Sequence, residues 1–171
     1  MPTISWCCVA RGRTRPPLAQ LAHWTTTAAL ELHPEKTRLV DATQSQGFDF
    51  LGYRFAQGTR QPRKKSLDKL KATVRAKTRR TQGHSLTVII ADVNRTLHGW
   101  FGYFKHSRPS TFRTVDSWVR MRLRSLLRKR QGGSGRSTGA DHRRWPNAFF
   151  TAHGLYSLTA AHALACQSSR R

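Results

Sequence analysis

The chain reads as mainly α: a three-helix bundle, preceded by a short helix and a β-hairpin and followed by a loose C-terminal tail. Three observations carry this reading. Apolar residues recur at three-to-four-residue spacing over three consecutive stretches between residues 66 and 130. Two strand-like runs, Thr37–Ala42 and Phe48–Phe55, flank the turn-prone Gln44-Ser45-Gln46-Gly47. A Gly/Ser-rich stretch at residues 131–144 then separates the helices from the last part of the chain.

The elements follow in order. Residues 1–17 show no consistent period and end on Pro16-Pro17, which predicts an unstructured segment. Residues 18–56 hold a helix from Leu18 to Leu30, stopped by Pro34, and then the hairpin. Large apolar groups fall on both faces of Phe48–Phe55, as in a buried strand. Residues 57–131 form the helical domain, entered through a basic linker over residues 56–65. Its first helix runs from Ser66 to Arg80, with Leu67, Leu70 and Val74 inward. The second runs from Ser85, a fitting N-cap, to Phe104. Its stripe is Leu86, Ile89, Ile90, Val93, Leu97, Trp100, Phe101 and Phe104. The third runs from Ser110 to Arg130, with Phe112, Val115, Val119, Leu123 and Leu126 inward. Residues 132–171 are a flexible linker and tail, whose final helix, Ser157–Cys166, is free to pack on the bundle or to stay loose.

Charge narrows the function. Lys and Arg number 31 against 8 Asp and Glu, a net charge of +23 with a pI near 11.7. A compact chain this basic repels itself unless a polyanion neutralises it, and nucleic acid is the first candidate. No apolar run is long enough to span a membrane, and no signal-like apolar core opens the chain. Cys7, Cys8 and Cys166 form no C-x-x-C pair, so a reducing cytoplasm without disulfides is expected. The eight histidines are scattered without ligand-spaced partners, and no two carboxylates sit at metal-binding spacing. The expectation is therefore no metal, no cofactor and no catalytic residue.

The helices concentrate the charge. Residues 66–130 carry sixteen Lys and Arg against three Asp and no Glu. Lys71, Arg75 and Arg79 repeat every four residues on the first helix. Arg113, Arg120, Arg124 and Arg128 step by seven, four and four on the third, opposite its apolar stripe. Like charges at i,i+4 cost a helix about 0.2–0.5 kcal/mol per pair. A merely solvated face would intersperse Glu, whereas guanidinium rows suit phosphate oxygens. These residues are read as an RNA-contacting band, with Tyr103, just off the apolar stripe, as the candidate for stacking on an unpaired base.

Several strings resemble group II intron reverse transcriptases. Leu30-Glu31-Leu32-His33-Pro34-Glu35-Lys36-Thr37 resembles their L-x-L-(N/H)-P-E-K-T motif. Gly47-Phe48-Asp49-Phe50-Leu51-Gly52-Tyr53-Arg54-Phe55 resembles the G-F-x-F-L-G-Y-x-F strand. Leu97-His98-Gly99-Trp100-Phe101-Gly102-Tyr103-Phe104 is similar to the L-x-G-W-x-x-Y-F signature of the maturase-specific domain. Asp116-Ser117-Trp118-Val119-Arg120 with Arg122-Leu123-Arg124 resembles the helix after it, and the tail from Arg144 to Leu158 resembles bacterial members. The resemblance spans residues 28–160. It implies that the bundle is the thumb and the hairpin a remnant of the palm. It implies that Lys36 lies near the incoming nucleotide and that Phe50, Leu51, Gly52 and Tyr53 form the primer grip. The implied partner is structured intron RNA or a template–primer duplex.

One departure matters. The family's Tyr-Ala-Asp-Asp strand, about 25–35 residues ahead of the first motif, is absent here. One codon choice for Met1–Cys8, read one base earlier after a T, encodes Tyr-Ala-Asp-Asp-Phe-Val-Val-Leu. Residues 1–17 are accordingly expected to be a frameshifted reading of the catalytic strand, which the nucleotide sequence of the gene checks. The leading reading is an RNA-binding maturase piece without autonomous polymerase activity. The alternatives are a subunit of a split polymerase, completed by a separate fingers-and-palm chain, and an inert product of gene decay.

Overall fold

The computed structural model describes residues 23–29, 46–81, 83–135 and 137–168. The chain forms two compact units, residues 1–41 and 42–171. In the first, residues 23–27 are helical, inside the stretch expected to be a helix. Ala28 and Ala29 form a turn, while residues 18–22, Leu30, Lys36, the expected strand Thr37–Ala42 and the frameshift segment lie outside the described residues.

The second unit begins with a three-stranded antiparallel sheet in the order β1 (Phe48–Phe50), β2 (Tyr53–Ala56), β3 (Thr59–Pro62). This corrects two expectations. Phe48–Phe55 is not one strand but a hairpin, with Phe48 opposite Phe55 and Phe50 opposite Tyr53. The stretch expected to be a linker contains β3, paired with β2 so that Phe55 faces Arg60. The cause is local. Leu51 and Gly52 take φ of 45° and 80°, and Gln57 and Gly58 take 50° and 66°. Positive φ at both central residues is the tight hairpin turn whose twist matches the strands. Leucine is disfavoured there, but the turn is held from outside. Tyr103 Oη donates to Leu51 O at 2.6 Å, while Arg63 N and Ser66 Oγ donate to Gly52 O at 2.8 and 3.1 Å. The Phe48 and Phe55 rings stack across the strands at 5.1 Å.

Three long helices follow, as the periodicity predicts: α1 (Lys64–Lys77), α2 (Leu86–Phe104) and α3 (Pro109–Arg130). Ser85 caps α2, its Oγ accepting from Val88 N at 3.3 Å. Pro109 opens α3, where its missing N–H costs nothing. The inward residues expected on all three helices meet in one core: Leu70 and Val74, Ile89, Ile90, Val93 and Leu97, and Phe112, Val115, Val119, Leu123 and Leu126.

Of the two outcomes left open for the tail, packing on the bundle is the one observed. It folds into α4 (Gly139–Arg144), α5 (Asn147–Ala152) and α6 (Leu158–Ser168), and α6 packs along α3. Trp145, Phe150 and Leu158 join the core. Polar side chains of the long helices fasten these pieces. The buried Asp116 of α3 accepts from Leu158 N, Thr159 N, Thr159 Oγ1 and Ser157 Oγ at 2.8–3.1 Å. It thereby supplies the start of α6 with acceptors for N–H groups that no helix satisfies internally. Asn94 of α2 donates to Gly154 O and accepts from Tyr156 N at 2.7 and 2.8 Å.

Arg128 of α3 bonds Asp141 Oδ2 at 2.7 Å and Ser134 O at 2.9 Å, while Thr138 and Asp141 close a capping box at the start of α4. The Thr138 backbone N–H, then Arg128, hold the Asp141 carboxyl at about 2, below the ordinary 3.8. A carboxyl with a depressed folded-state pKa stabilises the fold above its unfolded value and stops doing so as protons bind. Melting temperature should therefore fall as pH drops from about 4 toward 2, and Asp141→Asn should remove part of that fall. A pH–melting profile of Asp141→Asn parallel to that of the parent chain would refute the assignment.

Candidate nucleic-acid interface

The cations expected to form one band divide into two groups. Arg124 is 3% exposed, which corrects its placement on the outer face. Its Nε donates to Trp145 O at 2.9 Å, its Nη2 donates to Asn147 Oδ1 at 2.8 Å, and its guanidinium lies 5.2 Å from the Phe150 ring centre. Arg128 is likewise taken up by Asp141 and the α4 start. Both lie opposite the apolar stripe of α3, as the spacing predicts, but the folded tail covers that side.

The other cations remain at the surface. Arg75, Arg79 and Arg113 are exposed, and Lys71 and Arg120 are half-buried. Arg75 lies 5.5 Å from the Trp118 ring, which joins α1 to α3. Arg122, which the sequence reading used only to widen the band, is anchored at the end of α1 by Thr78 O and Oγ1, at 3.1 and 3.3 Å. Burial and then the charges of Arg80 and Arg75 make its guanidinium easier to deprotonate than usual. Three guanidinium groups thus converge where α1 ends against α3. Among the described residues, none of Arg75, Arg79, Arg80, Arg113 or Arg120 has a carboxylate at ion-pair distance. Asp49, Asp92 and Asp141 pair with Arg54, Arg95 and Arg128, and Asp116 serves α6. These cations are therefore uncompensated at the surface, and guanidinium forks suit phosphate oxygens.

A groove of about 780 Å³ lies between the β1–β2 turn, α1 and α2. Leu51 and Gly52 of the expected primer grip form one rim. Phe50 and Tyr53 sit beside them at the strand ends, half-buried. Leu51 is 64% exposed and is the one exposed large apolar side chain of the Phe48–Phe55 run. Tyr103 is 53% exposed, yet fixed: its hydroxyl bonds Leu51 O, and Tyr53 Oη donates to Tyr103 O at 2.6 Å. The Tyr53 ring backs it at 6.0 Å. Arg63, Lys65, Lys69 and Arg95 also line the groove, and no carboxylate does. Behind the lining, Arg63 Nε and Trp100 Nε1 are buried without a hydrogen-bond partner among the described residues. Such orphaned donors cost about 1–3 kcal/mol each.

Gly99, in the middle of α2, completes the wall. A Cβ on it would meet nothing within 4 Å. Glycine in a helix interior costs about 1 kcal/mol relative to alanine, and packing within the fold does not require it here. The sequence reading singled out Tyr103 but missed the groove, because its walls come from three segments whose juxtaposition no local pattern encodes.

Among the described residues no group of three or more His, Cys, Asp or Glu is placed to hold a metal ion, and no helix is long and apolar enough to cross a membrane. Residues 67–145 match the protein family described as group II intron, maturase-specific domain. That match takes in most of α1, all of α2, α3 and α4, and Trp145. No curated protein matches the chain.

Proposed function

We propose that this protein, whose residues 67–145 match the group II intron maturase-specific domain, a family with a role in intron splicing, binds structured RNA and has no autonomous polymerase activity. The carrying observation is that Arg75, Arg79, Arg80, Arg113 and Arg120 have no described carboxylate to compensate them. Lys71 extends it along α1. Each contact neutralises a phosphate and releases counterions, so binding falls steeply with salt. An A-form duplex is gripped by its backbone and 2′-hydroxyls rather than by base sequence. Lys36 and the turn Phe50–Tyr53 keep the nucleotide-proximal and primer-grip roles that the resemblance implies. The sequence lacks the Tyr-Ala-Asp-Asp carboxylates that the resemblance would require to hold the paired ions of phosphoryl transfer.

The test is affinity for a structured RNA and for a DNA duplex of matched length, across several salt concentrations. We expect tighter binding to RNA and a steep salt slope. Substituting Arg79→Gln, Arg80→Gln and Arg113→Gln together should reduce that slope by about two units, at roughly 0.7–0.9 per lost contact. None of the three side chains makes a hydrogen bond or ion pair among the described residues, so the fold should keep its melting temperature. Equal, weak binding of both polyanions would overturn the reading and leave only a basic protein.

A further inference from the structure

We propose that the groove between the β1–β2 turn, α1 and α2 receives one unpaired nucleotide of the bound RNA, its base against Tyr103 and the Gly99 wall, its phosphate between Lys65, Lys69 and Arg63. The inference rests on the RNA-binding reading and adds a specific subsite to it.

Three observations carry it. Tyr103 is the exposed aromatic of the groove, and its hydroxyl and carbonyl are both tied down. A pre-fixed ring loses little freedom when a base stacks on it. Gly99 leaves open a volume that the fold itself does not need, since a Cβ there touches nothing. The charged residues at the rim are all cations. The volume lies within the roughly 300–1,000 Å³ of sites that take small molecules. A paired base could not enter, because its face is occupied by its neighbours in the stack. An extrahelical base or a strand end is the form of RNA that fits.

The experiment uses the full chain and two RNA stems, one fully paired and one with a single bulged 2-aminopurine. The parent protein should bind the bulged stem about tenfold tighter, the scale of one base–aromatic stack. The 2-aminopurine fluorescence should be quenched on binding. Gly99→Leu fills the groove and replaces glycine by a strong helix former. It should raise the melting temperature by roughly 2–4 °C, abolish the preference and the quench, and leave affinity for the paired stem unchanged. A merely structural glycine would give no change in binding. If the parent protein binds both stems equally and the fluorophore stays bright, the groove takes no base, while the RNA-binding reading stands. If Gly99→Leu keeps the preference, the base sits elsewhere and the proposal falls. If neither stem is bound, both readings fail together.

Discussion

Arg124→Ala is expected to lower the free energy of unfolding by about 2–4 kcal/mol, and to expose residues 139–168 to proteolysis. The side chain is 3% exposed and holds two acceptors, Trp145 O and Asn147 Oδ1, with the Phe150 ring beneath it. Truncation strands Trp145 O and leaves a void beside the fully buried Phe150 ring, while the exposed Asn147 amide turns to water. Part of that loss is offset, because Arg124 is a buried charge without a carboxylate. Burial, and then Arg120, already pull its pKa down. Arg124→Lys should recover less than half of the loss, since an ammonium has no planar fork to reach two acceptors in different directions. Urea denaturation with chymotrypsin sensitivity at Phe149 and Phe150 measures this. A midpoint equal to the parent's would show that the tail holds without it.

The same result bears on how RNA-binding substitutions are interpreted. Arg120 and Arg124 look equivalent on a helical wheel. Arg124, however, should weaken RNA binding only by unfolding the tail, and should keep near-parent affinity at temperatures where the variant is fully folded. Arg79 and Arg113, with no hydrogen bonds or ion pairs among the described residues, should behave in the opposite way: lower affinity, unchanged melting.

How much was legible in the sequence follows the range of the interactions. The stripes of α1, α2 and α3 are local patterns, and every inward residue they predicted is in the core or packed against it, except Phe104, which is buried against Tyr53 and Trp100. The Ser85 cap is local too. The turn between β1 and β2 was missed because it is Leu51-Gly52 rather than Asn-Gly, and is stabilised by Tyr103, 52 residues away. The tail was read as loose because α5 is only six residues long and α6 has a weak amphipathic pattern. Neither would persist alone. Their stability comes from Asp116, Asn94 and Arg124 reaching across sequence separations of 23 to 62 residues. Asp116 was especially well hidden. Arg113 and Arg120 lie at i−3 and i+4 from it, the positions of ordinary helical ion pairs, yet its carboxylate serves the α6 N–H groups instead.

That diversion makes Asp116→Asn the more discriminating of the two stability predictions. Asparagine has the shape of aspartate but one acceptor oxygen in place of two, with an NH₂ in the other position. The four bonds at Asp116 all come from donors: Leu158 N, Thr159 N, Thr159 Oγ1 and Ser157 Oγ. Whichever way the amide turns, its NH₂ faces donors, and at least one buried group is stranded. The expected loss is about 2–4 kcal/mol, from one or two charge-assisted hydrogen bonds plus desolvation of the orphaned partner. Asp68→Asn is the control. Asp68 is exposed on α1 and makes no ion pair among the described residues, so its change should stay within about 0.5 kcal/mol. If Asp116 merely balanced the arginines of its own helix, the two substitutions would shift the urea midpoint alike. If it starts α6, only Asp116→Asn lowers the midpoint, and α6 opens with it, because Leu158, wholly buried in the core, leaves with the N–H groups that Asp116 holds.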